Sequence, residues 1–213
     1  KSLLEGKLTL AQIDAACRRI LEAKYKLGLF DDPYKYCDEN RAKTEVFSDA
    51  HRREARSIAA QSFVLLKNNH QLLPLKKEGT IALIGPLANN KENMTGTWSV
   101  AANSNNATTL LAGLQQVAGN KVKILYAKGS NLTADSVLED RATMFGKTLY
   151  RDRRPDSVIL KEALDVAAQS DVIVAAVGES AEFSGESSSR TDIQIPALQQ
   201  ELLKALIKTG KPV

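Results

Sequence analysis

Asp171-Val172-Ile173-Val174-Ala175-Ala176-Val177, followed by Gly178-Glu179, is an apolar run that does not alternate with polar residues. A strand wet on one face reads apolar-polar with a period of two, so this run predicts a strand covered on both faces, as in a parallel sheet. Upstream, Pro155 to Ser170 puts Ile159, Leu160, Ala163, Leu164 and Ala167 at helical spacing. Further back, Val122-Lys123-Ile124-Leu125-Tyr126 predicts a strand, Thr109 to Val117 a helix stopped by Gly119, and Ile81-Ala82-Leu83-Ile84-Gly85-Pro86 a buried strand. Downstream, Pro196 suits the first turn of a helix running to Thr209, with Gly210 at its end. Strands alternating with helices from Thr80 onwards predict an α/β fold, a mostly parallel sheet between helix layers.

The first part of the chain has a different rhythm. Thr9-Leu10-Ala11-Gln12 is a capping-box pattern, after which Ile13, Ala16, Cys17, Ile20, Leu21, Lys24 and Leu27 keep helical spacing until Gly28. One amphipathic helix cannot bury its own stripe, so residues 1–30 read as the end of a preceding domain. Residues 31–60 read as a linker, polar from Phe30-Asp31-Asp32-Pro33-Tyr34 to about Ser48, and then a helix from Ser48 or Asp49 to about Gln61. Residues 61–213 form the α/β domain. Lys211-Pro212-Val213 stands where a further strand is due, so the sequence reads as truncated at both ends.

Composition excludes several function classes. The chain has 213 residues, 43% hydrophobic and 25% charged, which is ordinary for a globular domain. Its longest apolar run is far short of the ~18 residues of a membrane span, so no membrane partner is expected. A net charge of +4 and 5% aromatics do not make a nucleic-acid footprint. The one basic cluster, Lys147, Arg151, Arg153 and Arg154, reads as a solvated loop. Gly146-Lys147-Thr148 imitates the end of a P-loop, but Arg141 stands where that motif needs glycine. Cys17 and Cys37 have no metal spacing; Cys17 falls on the apolar helix face and reads as a small core residue. His51 and His70 have no metal partners and read as surface residues, so no metal and no cofactor are predicted.

In an open parallel sheet, ligands bind beyond the carboxyl ends of the strands. The loop leaving the Asp171–Val177 strand is Gly178-Glu179-Ser180-Ala181-Glu182-Phe183-Ser184-Gly185-Glu186-Ser187-Ser188-Ser189-Arg190-Thr191-Asp192. It gathers three glutamates, an aspartate, an arginine and several hydroxyls, a set suited to a sugar ring. Each has a structural alternative. Glu186 is a candidate for proton transfer or a solubilising charge. Glu179 and Glu182 read as structural, Glu179 accepting backbone or arginine hydrogen bonds. Arg190 is a candidate substrate ligand or one half of an ion pair. Trp98, the sole tryptophan, is either a stacking platform or a lid on the domain core.

Gly178-Glu179, Ser184-Gly185-Glu186-Ser187-Ser188-Ser189-Arg190-Thr191 and Ile195-Pro196 resemble the second-domain loop of glycoside hydrolase family 3 β-glucosidases, of the periplasmic kind. The likeness continues in order through Arg18-Arg19-Ile20-Leu21, Leu27-Gly28-Leu29-Phe30, Ala60-Gln61-Ser62, Val64-Leu65-Leu66-Lys67-Asn68, Leu72-Leu73-Pro74-Leu75, Ile84-Gly85-Pro86-Leu87-Ala88, Gly96-Thr97-Trp98-Ser99 and Thr209-Gly210-Lys211-Pro212-Val213. It is weakest between about Ser130 and Arg154. The resemblance implies a retaining β-glycosidase acting on terminal β-D-glucosyl residues of oligosaccharides. Glu186 is then the general acid/base, Trp98 and Arg190 bind substrate, and a nucleophilic aspartate lies in a barrel domain outside this chain. It also implies that the fragment alone is inactive and that the protein is periplasmic or secreted. The alternatives are a non-catalytic carbohydrate-binding or packing domain, and a β-xylosidase of the same family.

Overall fold

Thr9 starts the first helix through a reciprocal cap: its hydroxyl accepts from the Gln12 amide, and its own amide donates to Gln12 Oε1 at 2.9 Å. In the computed structural model, which describes residues 1–99, 101–140, 150–184, 186 and 188–213, this helix is α1, Leu10–Lys26. The chain divides into two units, Lys1–Lys67 and Asn68–Val213. The first holds α1, α2 (Arg41–Glu45) and α3 (Asp49–Ser62), the last capped by the Ser48 hydroxyl. None of these helices has a buried residue. Cys17, on the apolar stripe, is exposed within this unit. The stripe exists, but nothing within the unit packs over it.

The second unit runs β1 (Thr80–Ile84), α4 (Leu110–Ala118), β2 (Lys123–Ala127), α5 (Ser136–Asp140), α6 (Asp156–Ala168), β3 (Val172–Ala175) and α7 (Ala197–Lys208). The strands form one parallel sheet in the order β2-β1-β3, with Ile81 opposite both Ile124 and Val172. This is the α/β architecture expected from the alternation of elements. Ala82 and Ile84 point to one face of the sheet, where Ala163 and Ala167 of α6 and Leu202 and Leu206 of α7 join them in the core. Ala82, Leu83 and Ile84 are fully buried because β1 is central. In β3 only Ile173 is buried, less than its unbroken apolar run predicts. β1 pairs along one side of β3, and on the other the Ile173 amide donates to the Pro212 carbonyl at 2.9 Å.

Between β2 and α6 lies the segment least legible in the sequence. Asn131, almost fully buried, holds both backbone groups of Asp152: Asp152 N donates to Asn131 Oδ1 at 2.9 Å, and Asn131 Nδ2 donates to the Asp152 carbonyl at 2.8 Å. Glu139 is buried, accepts from Leu132 N at 3.1 Å and pairs with Arg151. Arg151 is consequently 14% exposed rather than a solvated loop cation, since a carboxylate out of water requires a charged partner. Arg154 pairs with Asp152 and Glu162, and Lys147, with the P-loop imitation at 141–148, falls outside the described residues.

Candidate active-site loops

With the order β2-β1-β3, the chain leaves β1 to one side of the sheet and returns on the other, so the switch point where such sheets bind ligands lies beyond the carboxyl ends of β1 and β3. Gly85 marks it. A Cβ on Gly85 would stand 1.9 Å from the Ala176 carbonyl oxygen, so only glycine lets the two strand ends approach this closely. The loop after β1 carries Trp98, and the loop after β3 carries Glu186. Ala181 N donates to Asn93 Oδ1 at 2.8 Å and ties the second loop to the first. Asn93 is in turn held by Asn90, whose Oδ1 accepts from both the backbone and the side-chain amide of Asn93, at 2.9 and 2.8 Å.

Glu186 is exposed on its loop. Trp98 is 71% exposed, so it is no lid on the core of its own unit. Arg190 forms an ion pair with Glu179, donates to the Gln194 carbonyl at 3.1 Å and lies 5.7 Å from the centroid of the Phe183 ring. Glu179 thus accepts from an arginine, as its place after Gly178 predicts. His51 and His70 are exposed. Among the described residues no group of three His, Cys, Asp or Glu side chains could hold a metal ion, and no helix is long and apolar enough to cross a membrane.

Two supporting residues escaped the sequence reading. Gln199, fully buried on the first turn of α7, accepts from Gly178 N at 2.8 Å and donates to the Gly178 carbonyl at 2.8 Å and the Leu132 carbonyl at 2.9 Å. A glutamine next to a helix-starting proline carries no signal of that role. Asn93, in a polar loop, is equally anonymous.

A second polar group, at the end of β2, lines a cavity of about 190 Å³ with Tyr126, Lys128, Glu139 and Tyr150. Lys128 Nζ donates to Asn131 Oδ1 at 2.8 Å and to the Tyr150 carbonyl at 2.9 Å. Burial pulls its ammonium below the usual range, against the opposing pull of Glu139 and Asp152. Lys128 is thus held by Asn131 and Tyr150, and Glu139 by Leu132 and Arg151, which is the mark of a structural network.

The Glycosyl hydrolase family 3 C-terminal domain matches residues 63–213. The chain belongs to glycosyl hydrolase family 3. A periplasmic beta-glucosidase of Salmonella typhimurium is 45% identical over 211 residues, covering 98% of this chain and 28% of the relative. A beta-xylosidase of Formosa agariphila is 35% identical, covering 100% of the chain and 27% of the relative. Among solved structures, a beta-glucosidase from Listeria innocua in complex with glucose superposes with a TM-score of 0.73 at 33% identity, covering 100% of this chain and 26% of that one. The chain therefore spans between about a quarter and a third of the length of these proteins.

Proposed function

We propose that the intact protein is a retaining β-glycosidase that removes terminal non-reducing β-D-glucosyl residues from oligosaccharides, and that this chain supplies its general acid/base, Glu186. The observation that carries the reading is the position of Glu186: an exposed carboxyl on the loop leaving β3, beyond the strand ends where an open parallel sheet binds its ligand. The 45% identity to a periplasmic beta-glucosidase supports glucose as the sugar and the periplasm or exterior as the location.

In this reading Glu186 enters the reaction as the acid. It protonates the glycosidic oxygen while a carboxylate from a domain outside this chain attacks the anomeric carbon. The resulting carboxylate of Glu186 then takes a proton from water, which releases the sugar with its configuration retained. Trp98, exposed on the neighbouring loop, offers a flat apolar face to a sugar ring beyond the cleaved bond.

A β-xylosidase is the second reading, supported by the relative of that name at 35% identity. A panel of nitrophenyl glycosides assayed with the full-length protein separates the two. The proposal expects the highest kcat/KM on the β-glucoside, with the β-anomer as first product by NMR. Preference for the β-xyloside selects the second reading, and no turnover of any β-glycoside refutes both.

A further inference from the structure

The loop that carries Glu186 is closed on itself by side chains. Arg190 pairs with Glu179, eleven residues upstream at the foot of the loop. The same guanidinium reaches the Gln194 carbonyl behind the loop and lies over the Phe183 ring within it. Glu186 stands between the two ends of this bridge.

The foot is itself fixed. Gly178, next to Glu179, is held through both its backbone groups by the Gln199 amide, and Gln199 is fully buried on α7. Support thus runs without a gap from α7 through Gln199, Gly178 and Glu179 to Arg190. The Arg190 and Glu179 side chains are 29% and 33% exposed. An ion pair so accessible to water adds little stability. Its effect is geometric, because bridging 179 to 190 removes conformations open to a loop held only by its ends.

We propose that Glu179 and Arg190 are a positioning pair, not substrate ligands, and that they fix where the Glu186 carboxyl stands for proton transfer. The inference rests on the reading of Glu186 as general acid/base. A general acid works only within hydrogen-bond reach of the leaving oxygen, so a small displacement costs rate without removing any reacting group. The guanidinium already has a carboxylate, a carbonyl and a ring as neighbours, and a sugar hydroxyl would have to compete with them.

The test uses the full-length enzyme with Glu179→Gln, Arg190→Met, Arg190→Lys and the Glu179→Gln/Arg190→Met double variant. Each is assayed on phenyl β-glucoside, whose leaving group needs a proton, and on 2,4-dinitrophenyl β-glucoside, whose leaving group does not. On the phenyl substrate, Glu179→Gln and Arg190→Met are expected to lose about 10- to 100-fold in kcat/KM, the scale of a misplaced catalytic group. On the dinitrophenyl substrate the loss stays below about 3-fold, because that step needs little acid. The double variant is expected to be no worse than the poorer single one, and Arg190→Lys to recover part of the loss. Equal losses on both substrates, additive losses, or a raised KM at constant kcat would overturn the inference. Glu179→Gln keeps the side-chain shape and decides the matter if Arg190→Met does not fold. Glu186→Ala is run alongside. If it shows the leaving-group dependence and the pair variants do not, the positioning inference alone fails; if it shows none, the acid/base reading falls and takes the inference with it.

Discussion

Gln199 holds Gly178 by both backbone groups, accepting from its N–H and donating to its carbonyl at 2.8 Å each. One side-chain amide imitates a neighbouring peptide at the point where β3 ends and the loop of Glu186 begins. The same Nε2 reaches the Leu132 carbonyl, so one residue joins α7, the β3 exit and the β2 exit.

Gln199→Leu preserves much of the volume but leaves these groups without a partner. Unsatisfied buried donors and acceptors cost about 1–3 kcal/mol each, and two are expected to remain unpaired, for a loss of roughly 2–6 kcal/mol. Urea unfolding of the full-length protein checks this through a lowered midpoint for the α/β domain. An unchanged midpoint would mean that water replaces the amide.

Trp98→Ala removes a ring that is 71% exposed, so under the proposed function its effect is expected on binding and not on the core of its own unit. KM for cello-oligosaccharides is expected to rise several-fold, with kcat nearly constant and the melting temperature unchanged, as when an interaction equal in ground and transition states is lost. A melting temperature lowered by several degrees, with unchanged KM, would show the ring to be structural.

Arg154 holds the Asp152 carboxyl well below the usual carboxylate range, at about 2, through side-chain and backbone hydrogen bonds. A carboxyl depressed by folding contributes stability that is complete above its unfolded value near 4 and is lost as pH falls towards 2. The stability difference between the wild type and Asp152→Asn is therefore expected to be constant at neutral pH and to close between about pH 4 and pH 2. Melting temperatures measured across that range check it; a gap that persists at pH 2 would assign the effect to shape instead of charge.

The fold was legible because its signals are local and redundant. The β3 and β1 runs, the Thr9 and Ser48 caps and the Ala163–Ala167 spacing each specify an element from a few neighbouring residues. The placing of Glu186 and Trp98 on the loops after β3 and β1 was legible from the strand pattern, while the roles proposed for them come from the order of motifs around them. What stayed hidden depends on contacts far apart in sequence. Nothing near Glu139 announces a buried carboxylate, because its partner Arg151 lies twelve residues away across a segment with little resemblance to the family. Gln199 and Asn93 grip backbone 21 and 88 residues distant, and backbone has no sequence signature. For Cys17, periodicity reports which face of the helix it occupies, not what covers that face.

Kinetics of Glu186→Ala in the full-length protein are the sharpest test of Glu186 as the general acid/base. With phenyl β-glucoside, which needs a proton on its leaving group, the rate is expected to fall by about 10²–10⁴-fold. With 2,4-dinitrophenyl β-glucoside the first step survives, and the glycosyl-enzyme accumulates because water has lost its base. Azide attacks without base assistance, so adding it is expected to restore turnover and to yield the β-glycosyl azide. Equal losses on both substrates, with no azide product, would rule Glu186 out and move the role to another carboxylate, beginning with Glu182 in the same loop.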